Sequence, residues 1–196
     1  MKTKKETNSR GSMAMRGMQR VIWLGAAAAA LAACAGMAAA QGPGPANVAA
    51  QKVAMQKLAF LAGKWSGPIT VHEGPGPALH MTQTESVEYK LDGLVLLIEG
   101  KSTDTAGKAE FEALATIAWD DATQGYRIRA YNAGHYVDVP LTAEKDGFSW
   151  RFQAGPVRIE NAMHLTSDGQ WKEETNVTVP GRPTFPTVEM LLKHAQ

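Results

Sequence analysis

One cysteine, Cys34, stands in the 196 residues, and it precedes everything that is patterned like a folded domain. No disulfide can therefore form inside that domain, and its stability must come from burying apolar surface. Familiar catalytic signatures are missing too. There is no G-x-S-x-G, no P-loop, and no G-x-G-x-x-G following a strand-like run. The tetrad GPGP occurs at 42–45 and 74–77, but proline removes the amide donors that a phosphate cradle needs. Five histidines, at 72, 80, 135, 164 and 194, form neither H-x-x-x-H nor H-E-x-x-H, so no metal site is expected. The acidic pairs Asp120-Asp121 and Glu173-Glu174 fall in a turn and on opposite faces of a strand, which gives neither pair a shared acid–base site.

Positive charge is scarce where it would matter. The whole chain has 20 Lys+Arg against 19 Asp+Glu, but residues 1–40 hold 6 of the bases and 1 of the acids. The remainder carries 14 bases and 18 acids, net −4. Nucleic acid is excluded as an expected partner, since phosphate binding needs a basic stripe.

The leader has its own logic. A basic stretch, MKTKKETNSRGSMAMRGMQR, runs into VIWLGAAAAALAACAGMAAAQ, an apolar segment ending in small residues. This is the layout of a bacterial secretory signal over residues 1–40, with Ala38-Ala39-Ala40 as the cleavage pattern and Met13, Met15 or Met18 as alternative starts. Val21 to Ala40 is long enough to span a bilayer at roughly 20 residues. Alanine and glycine dominate it, however, and no basic stop-transfer cluster follows, which favours cleavage. The alternative to cleavage after Ala40 is a lipobox: LAAC, Leu31 to Cys34, would end the signal at residue 33 and place a lipid on Cys34. That would be the only membrane attachment expected. Either route exports the protein to the periplasm or beyond, the first as a soluble chain and the second as an anchored lipoprotein.

Residues 41–47, beginning QGPGP, read as linker, and 48–196 as one domain. Val48, Lys52, Met55 and Leu58 or Ala59 recur at helical spacing within Ala46 to Leu61, and Gly63 stands where a helix would stop. Beyond it lie short β-prone runs separated by turn chemistry. The spacing predicts strands at 64–72, 79–91, 94–103, 109–120, 126–133, 135–143, 148–154, 157–166, 170–179 and 187–194. Asp-Gly at 92–93, KDG and SDG are tight hairpin signals, so sequence neighbours should pair antiparallel. The expected fold is all-β: a single antiparallel meander barrel of about ten strands behind a short N-terminal helix. The last run, TVEMLLKH, could begin a helix, but its alternation and the need to cover an open edge favour a closing strand.

Alternation also says which side chains enter the barrel. Phe111, Ala113, Ala115, Ile117 and Trp119 share one face, as do Phe148, Trp150, Phe152 and Ala154. Polar residues interrupt these inward sets: Gln83 and Glu85 between Met81 and Val87, Asn161 between Ile159 and Met163, and Glu173 with Thr175 between Trp171 and Val177. A buried carboxylate needs a partner, water or ligand. Arg127 and Arg129, in YRIRAYNAGHY, are the cations expected to reach these groups. Two readings stand side by side. Either a structural Glu85–Arg129 pair or a solvated mouth explains the polar residues, or they form the polar end of an apolar cavity. On the second reading the ligand contacts are Gln83, Glu85, Arg129, Trp150 and Asn161, and the ligand is a small apolar molecule with no cofactor required.

The segment FLAGKWSG, Phe60 to Gly67, places Gly63-x-Trp65-x-Gly67 between the helix and the first strand. It resembles the start of lipocalin-like bacterial barrels, among them a domain family of unknown function, and is similar to the start of nitrobindin-type haem barrels. The resemblance implies that Trp65 plugs the closed end under the helix, with Gly63 and Gly67 allowing the turn and close backbone approach. It also implies two alternatives to simple carriage. One is haem with peroxynitrite or NO chemistry, held by a histidine late in the barrel; His164 matches that region but is directed outward by alternation, and His135 is the other candidate. The other is a fully packed envelope interaction module that holds no ligand. The lipocalin arginine stacked on the tryptophan has Lys193 or Arg182 as its nearest equivalent.

Overall fold

A computed structural model describes residues 46–74 and 76–195; the leader, the lipobox with Cys34, and most of the linker lie outside the described residues. Helix α1 covers Val48–Gln56 and is followed by one 3-10 turn at Ala59–Leu61. It is shorter than the helical pattern over 46–61 suggests. Asn47 caps it, its side chain accepting a hydrogen bond from the amide of Ala50. Asp121, from a turn of the barrel, accepts from both the Asn47 amide at 2.9 Å and the Gln51 side chain at 2.7 Å, which pins the helix start to the barrel rim.

Ten strands follow: β1 Gly63–Val71, β2 Leu79–Lys90, β3 Val95–Thr103, β4 Ala109–Asp120, β5 Gly125–Asn132, β6 His135–Glu144, β7 Gly147–Ala154, β8 Val157–Leu165, β9 Trp171–Thr178 and β10 Phe185–His194. Each pairs antiparallel with its neighbour in sequence, and β10 returns to pair with β1, so the sheet closes into a barrel with no free edge. The closing segment is thus a strand, with Trp65 opposite His194 and Val71 opposite Val188.

The meander gives the barrel two unlike ends. Helix α1 and the hairpin turns β2–β3, β4–β5, β6–β7 and β8–β9 gather at one, and the β1–β2, β3–β4, β5–β6, β7–β8 and β9–β10 connections at the other. The helical end is sealed. Met55, Leu58 and Leu61 are fully buried over the barrel opening, together with Trp65, Leu96, Ile117, Trp171 and Leu192. Two tyrosines bolt the helix down from below: Tyr126 donates its hydroxyl to the Ala54 carbonyl at 2.6 Å and Tyr89 to that of Met55 at 2.7 Å.

Trp65 is the centre of this floor. It is 1% exposed, donates its indole N–H to the Leu61 carbonyl at 2.8 Å, and meets Trp171 edge-to-face with ring centroids 5.6 Å apart. The ring that covers its other face is His194, at 3.7 Å between centroids. Neither residue expected from the resemblance does this: Lys193 points outward by alternation, and Arg182 sits in the β9–β10 connection at the opposite end. The flanking glycines have separate reasons. Gly63 takes φ +129°, and a Cβ there would come within 3.1 Å of the His194 ring. At Gly67 a Cβ would stand 2.2 Å from the Leu191 carbonyl oxygen, because β10 crosses β1 there at a distance that no side chain permits.

Candidate functional site

Above the tryptophan floor the barrel is hollow. A cavity of about 460 Å³ runs up to the open end. Its walls are mostly apolar, including Ile69, Met81, Ile98, Phe148, Trp150 and Met190, and alanines at 113, 115 and 130 leave it room. Period-two alternation puts every one of these side chains inside.

A polar layer lies across the cavity, built from two strand pairs. On β2 and β3, Glu85 stands opposite Gly100, and Gln83 opposite Ser102. The Gln83 amide nitrogen donates to Glu85 Oε1 at 2.7 Å, and Ser102 donates its hydroxyl to Gln83 Oε1. Gly100 makes the space: a Cβ there would lie 2.7 and 2.8 Å from the two carboxyl oxygens of Glu85. On β8 and β9, Asn161 stands opposite Thr175, and Met163 opposite Glu173. The Asn161 amide nitrogen donates to Glu173 Oε1 at 2.7 Å and to the Thr175 hydroxyl at 3.1 Å. Glu173 Oε2 accepts the indole N–H of Trp171 at 2.7 Å, which ties the polar layer to the floor beneath it.

Both carboxyls are held in an unfavourable place for a charge. Burial, reinforced by the neighbouring Glu173 charge and only partly relieved by Gln83, pushes the Glu85 carboxyl up to about 8. Glu173 also lies above its ordinary range. Burial raises it, while the hydrogen bonds from Asn161 and Trp171 pull the other way. By surface area Glu173 is only half-buried, but it lines the cavity, so its accessible surface opens inward.

Of the expected ligand contacts, Gln83, Glu85, Trp150 and Asn161 all line this cavity. Arg129 does not. Its neighbour Ile128 is the inward residue of β5, so Arg127 and Arg129 project from the outer face, where both clamp Asp138 on β6. The Arg129 side chain is 52% exposed, and its bonds with those of Arg127 hold the Asp138 carboxyl below the usual range. The expected Glu85–Arg129 pair is therefore absent, and among the described residues no Lys or Arg lines the cavity. The residue that sequence reasoning left out of the contact set is Glu173. It was visible as an inward polar residue, but only barrel closure brings β9 round to face β2.

The histidines divide between the outer wall and the rim. His164 is exposed on the outer face of β8, one position along from the buried Met163. His135 lies at the open end, on the cavity rim, at the start of β6. Among the described residues no group of three or more His, Cys, Asp or Glu is placed to hold a metal ion. Among the described residues the histidines on the cavity lining are His72 and His135, both at its rim, whereas His164, the histidine that the resemblance puts forward as a haem ligand, lies on the outer wall.

Neither a family model nor a curated protein matches the chain. Solved structures do, among them the crystal structure of Rv2717c from M. tuberculosis, with a TM-score of 0.56 at 12% identity. The match covers 73% of this chain and 98% of that one. At this identity the likeness is one of fold, and it supports a closed antiparallel barrel.

Proposed function

We propose that the protein is an exported, lipocalin-like barrel that binds and carries a small, mainly apolar molecule and performs no catalysis. Export rests on the leader pattern, with either cleavage after Ala40 or lipid attachment at Cys34 delivering the barrel to the periplasm or beyond. The observation that carries the binding reading is the cavity of about 460 Å³, apolar in most of its lining, closed below by Trp65 and open at the other end. Its size falls within the roughly 300–1,000 Å³ of small-molecule sites. An interaction module with a filled core would have large side chains where Ala113, Ala115 and Ala130 stand.

The test is saturable binding of the neutral apolar fluorophore N-phenyl-1-naphthylamine, with native mass spectrometry to find any ligand carried through purification. One probe per barrel is expected, and Ala113→Trp, which fills the cavity from β4, should abolish its binding. A probe that binds A113W as well as the parent protein would place the site elsewhere and end the reading.

A further inference from the structure

Resting on that carrier reading, we infer that the occupant is an amphiphile with a primary ammonium head, held by Glu85, Glu173 and Asn161, and with its apolar body extending toward the open end.

The argument begins with what the polar layer is short of. Most of its own donors are spent: Gln83 on Glu85, Ser102 on Gln83, Asn161 on Glu173 and Thr175, and Trp171 on Glu173, which leaves the Thr175 hydroxyl and the Glu85 carboxyl, while it is protonated, as the layer's remaining donors among the described residues. Acceptors are left over. Asn161, only 5% exposed, has its Oδ1 buried with no hydrogen-bond partner among the described residues. Glu85 uses Oε1, and no hydrogen bond among the described residues reaches its Oε2. An orphaned buried acceptor in a native core calls for an explanation, and beside a carboxyl oxygen that also lacks a donor it favours a group with several hydrogens. An ammonium group carries three, and no acceptor.

Charge points the same way. Two carboxyls share a cavity that contains no Lys or Arg among the described residues, and the titratable groups nearer the rim add Glu73 and Glu110 to His72 and His135. Of these, Glu110 is paired with Lys108, and His72 faces Glu189 at 3.4 Å. Among the described residues the interior pair has no such counter-ion. A ligand cation would supply it, and burial among apolar walls would strengthen that attraction. Trp150, opposite Asn161 in the strand register, adds an aromatic ring to the cavity wall at this level. Between the layer and the polar rim the walls carry Ile69, Val71, Met81 and Phe152, so the ligand must change character from head to tail. A carboxylate or phosphate head finds no Lys or Arg among the described residues that line the cavity.

Displacement of N-phenyl-1-naphthylamine by three chain-matched ligands tests this: octylamine, 1-octanol and octanoate, against the full chain as processed by its host. Octylamine should displace the probe at a concentration at least tenfold lower than octanol, and octanoate should be the weakest. Within each variant the octylamine-to-octanol ratio is then compared. Glu85→Gln should bring it close to one, whereas Glu174→Gln, one residue past Glu173 and paired outside with Lys172, should leave it unchanged. Octanol equal to octylamine, or octanoate ahead of both, would overturn the cationic head while leaving the cavity reading intact. Failure of the probe to bind would remove the carrier reading, and this inference with it. Should E85Q not fold, the ratio in the parent protein decides alone.

Discussion

Two glycines show how differently a single missing Cβ can act in this barrel. At Gly67 the atom in the way is a backbone carbonyl oxygen, which can move only if β10 moves. At Gly100 it is the end of the Glu85 side chain, which can rotate away. Gly67→Ala should therefore cost about 3 kcal/mol, the upper range for overpacking, and Gly100→Ala about 1 kcal/mol; urea unfolding of both variants measures the difference. Equal costs would mean that β1 and β10 are less tightly opposed than their register implies. G100A has a second consequence, because the displaced carboxyl is part of the site. Its loss of affinity for octylamine should exceed what its small loss of stability explains. This residue-level contrast was only half legible. Gly67 belongs to the Gly-x-Trp-x-Gly stretch and is conspicuous. Gly100, in LLIEGKST, looks like any strand glycine until the register sets it opposite Glu85.

Helix α1 covers the floor of the barrel, and its attachment has two separable parts. The polar part is the pair of tyrosine hydroxyls on the Ala54 and Met55 carbonyls. The apolar part is Leu58 and Leu61 pressed over Trp65. Removing both hydroxyls in a Tyr89→Phe, Tyr126→Phe double variant should cost about 2 kcal/mol at roughly 1 kcal/mol per bond. Amide exchange should accelerate over 48–61 while the strand amides remain protected. Uniform acceleration throughout would show that the helix and barrel unfold as one unit. Trp65→Ala removes the other part and should cost about 3–5 kcal/mol, as for a buried aromatic truncated to alanine, read from the melting transition. Elements of this kind were largely legible. Alternation and turn residues set the ten strands to within two residues at each end, since a strand buried on one face must repeat every second position. The helix was overestimated because its pattern continues into the 3-10 turn at Ala59–Leu61, where the same apolar residues serve a different geometry. Arg129 looks in the sequence like a partner for Glu85 because an inward carboxylate needs a cation, yet the alternation of Arg127, Ile128 and Arg129 puts both arginines outside.

For the whole molecule, a hollow barrel with two unneutralised carboxyls must weaken as it is made more alkaline, and the sign can be worked out. The folded state holds the Glu85 proton up to about pH 8, whereas the unfolded chain releases it near 4.5. Between these values the folded state binds more protons than the unfolded one, so stability is greatest below about 4.5, falls as pH rises, and levels off for this group above about 8. One such group contributes a slope of up to about 1.4 kcal/mol per pH unit, and Glu173, raised for the same reason, adds in the same direction. The aspartates with lowered values, Asp138 between its two arginines and the exposed Asp92, Asp120 and Asp168, act below their ordinary 3.8 and so outside this window. Thermal melting between pH 5 and pH 8 should therefore show a midpoint that declines steadily. Glu85→Gln keeps the acceptor that Gln83 requires and removes the titration, so its curve should be markedly flatter and lie above the parent curve at pH 8. A parent midpoint that stays level or rises would mean that the interior carboxyls are already neutralised by something in the folded protein. A retained amine would do this, and native mass spectrometry on the same sample would then show its mass.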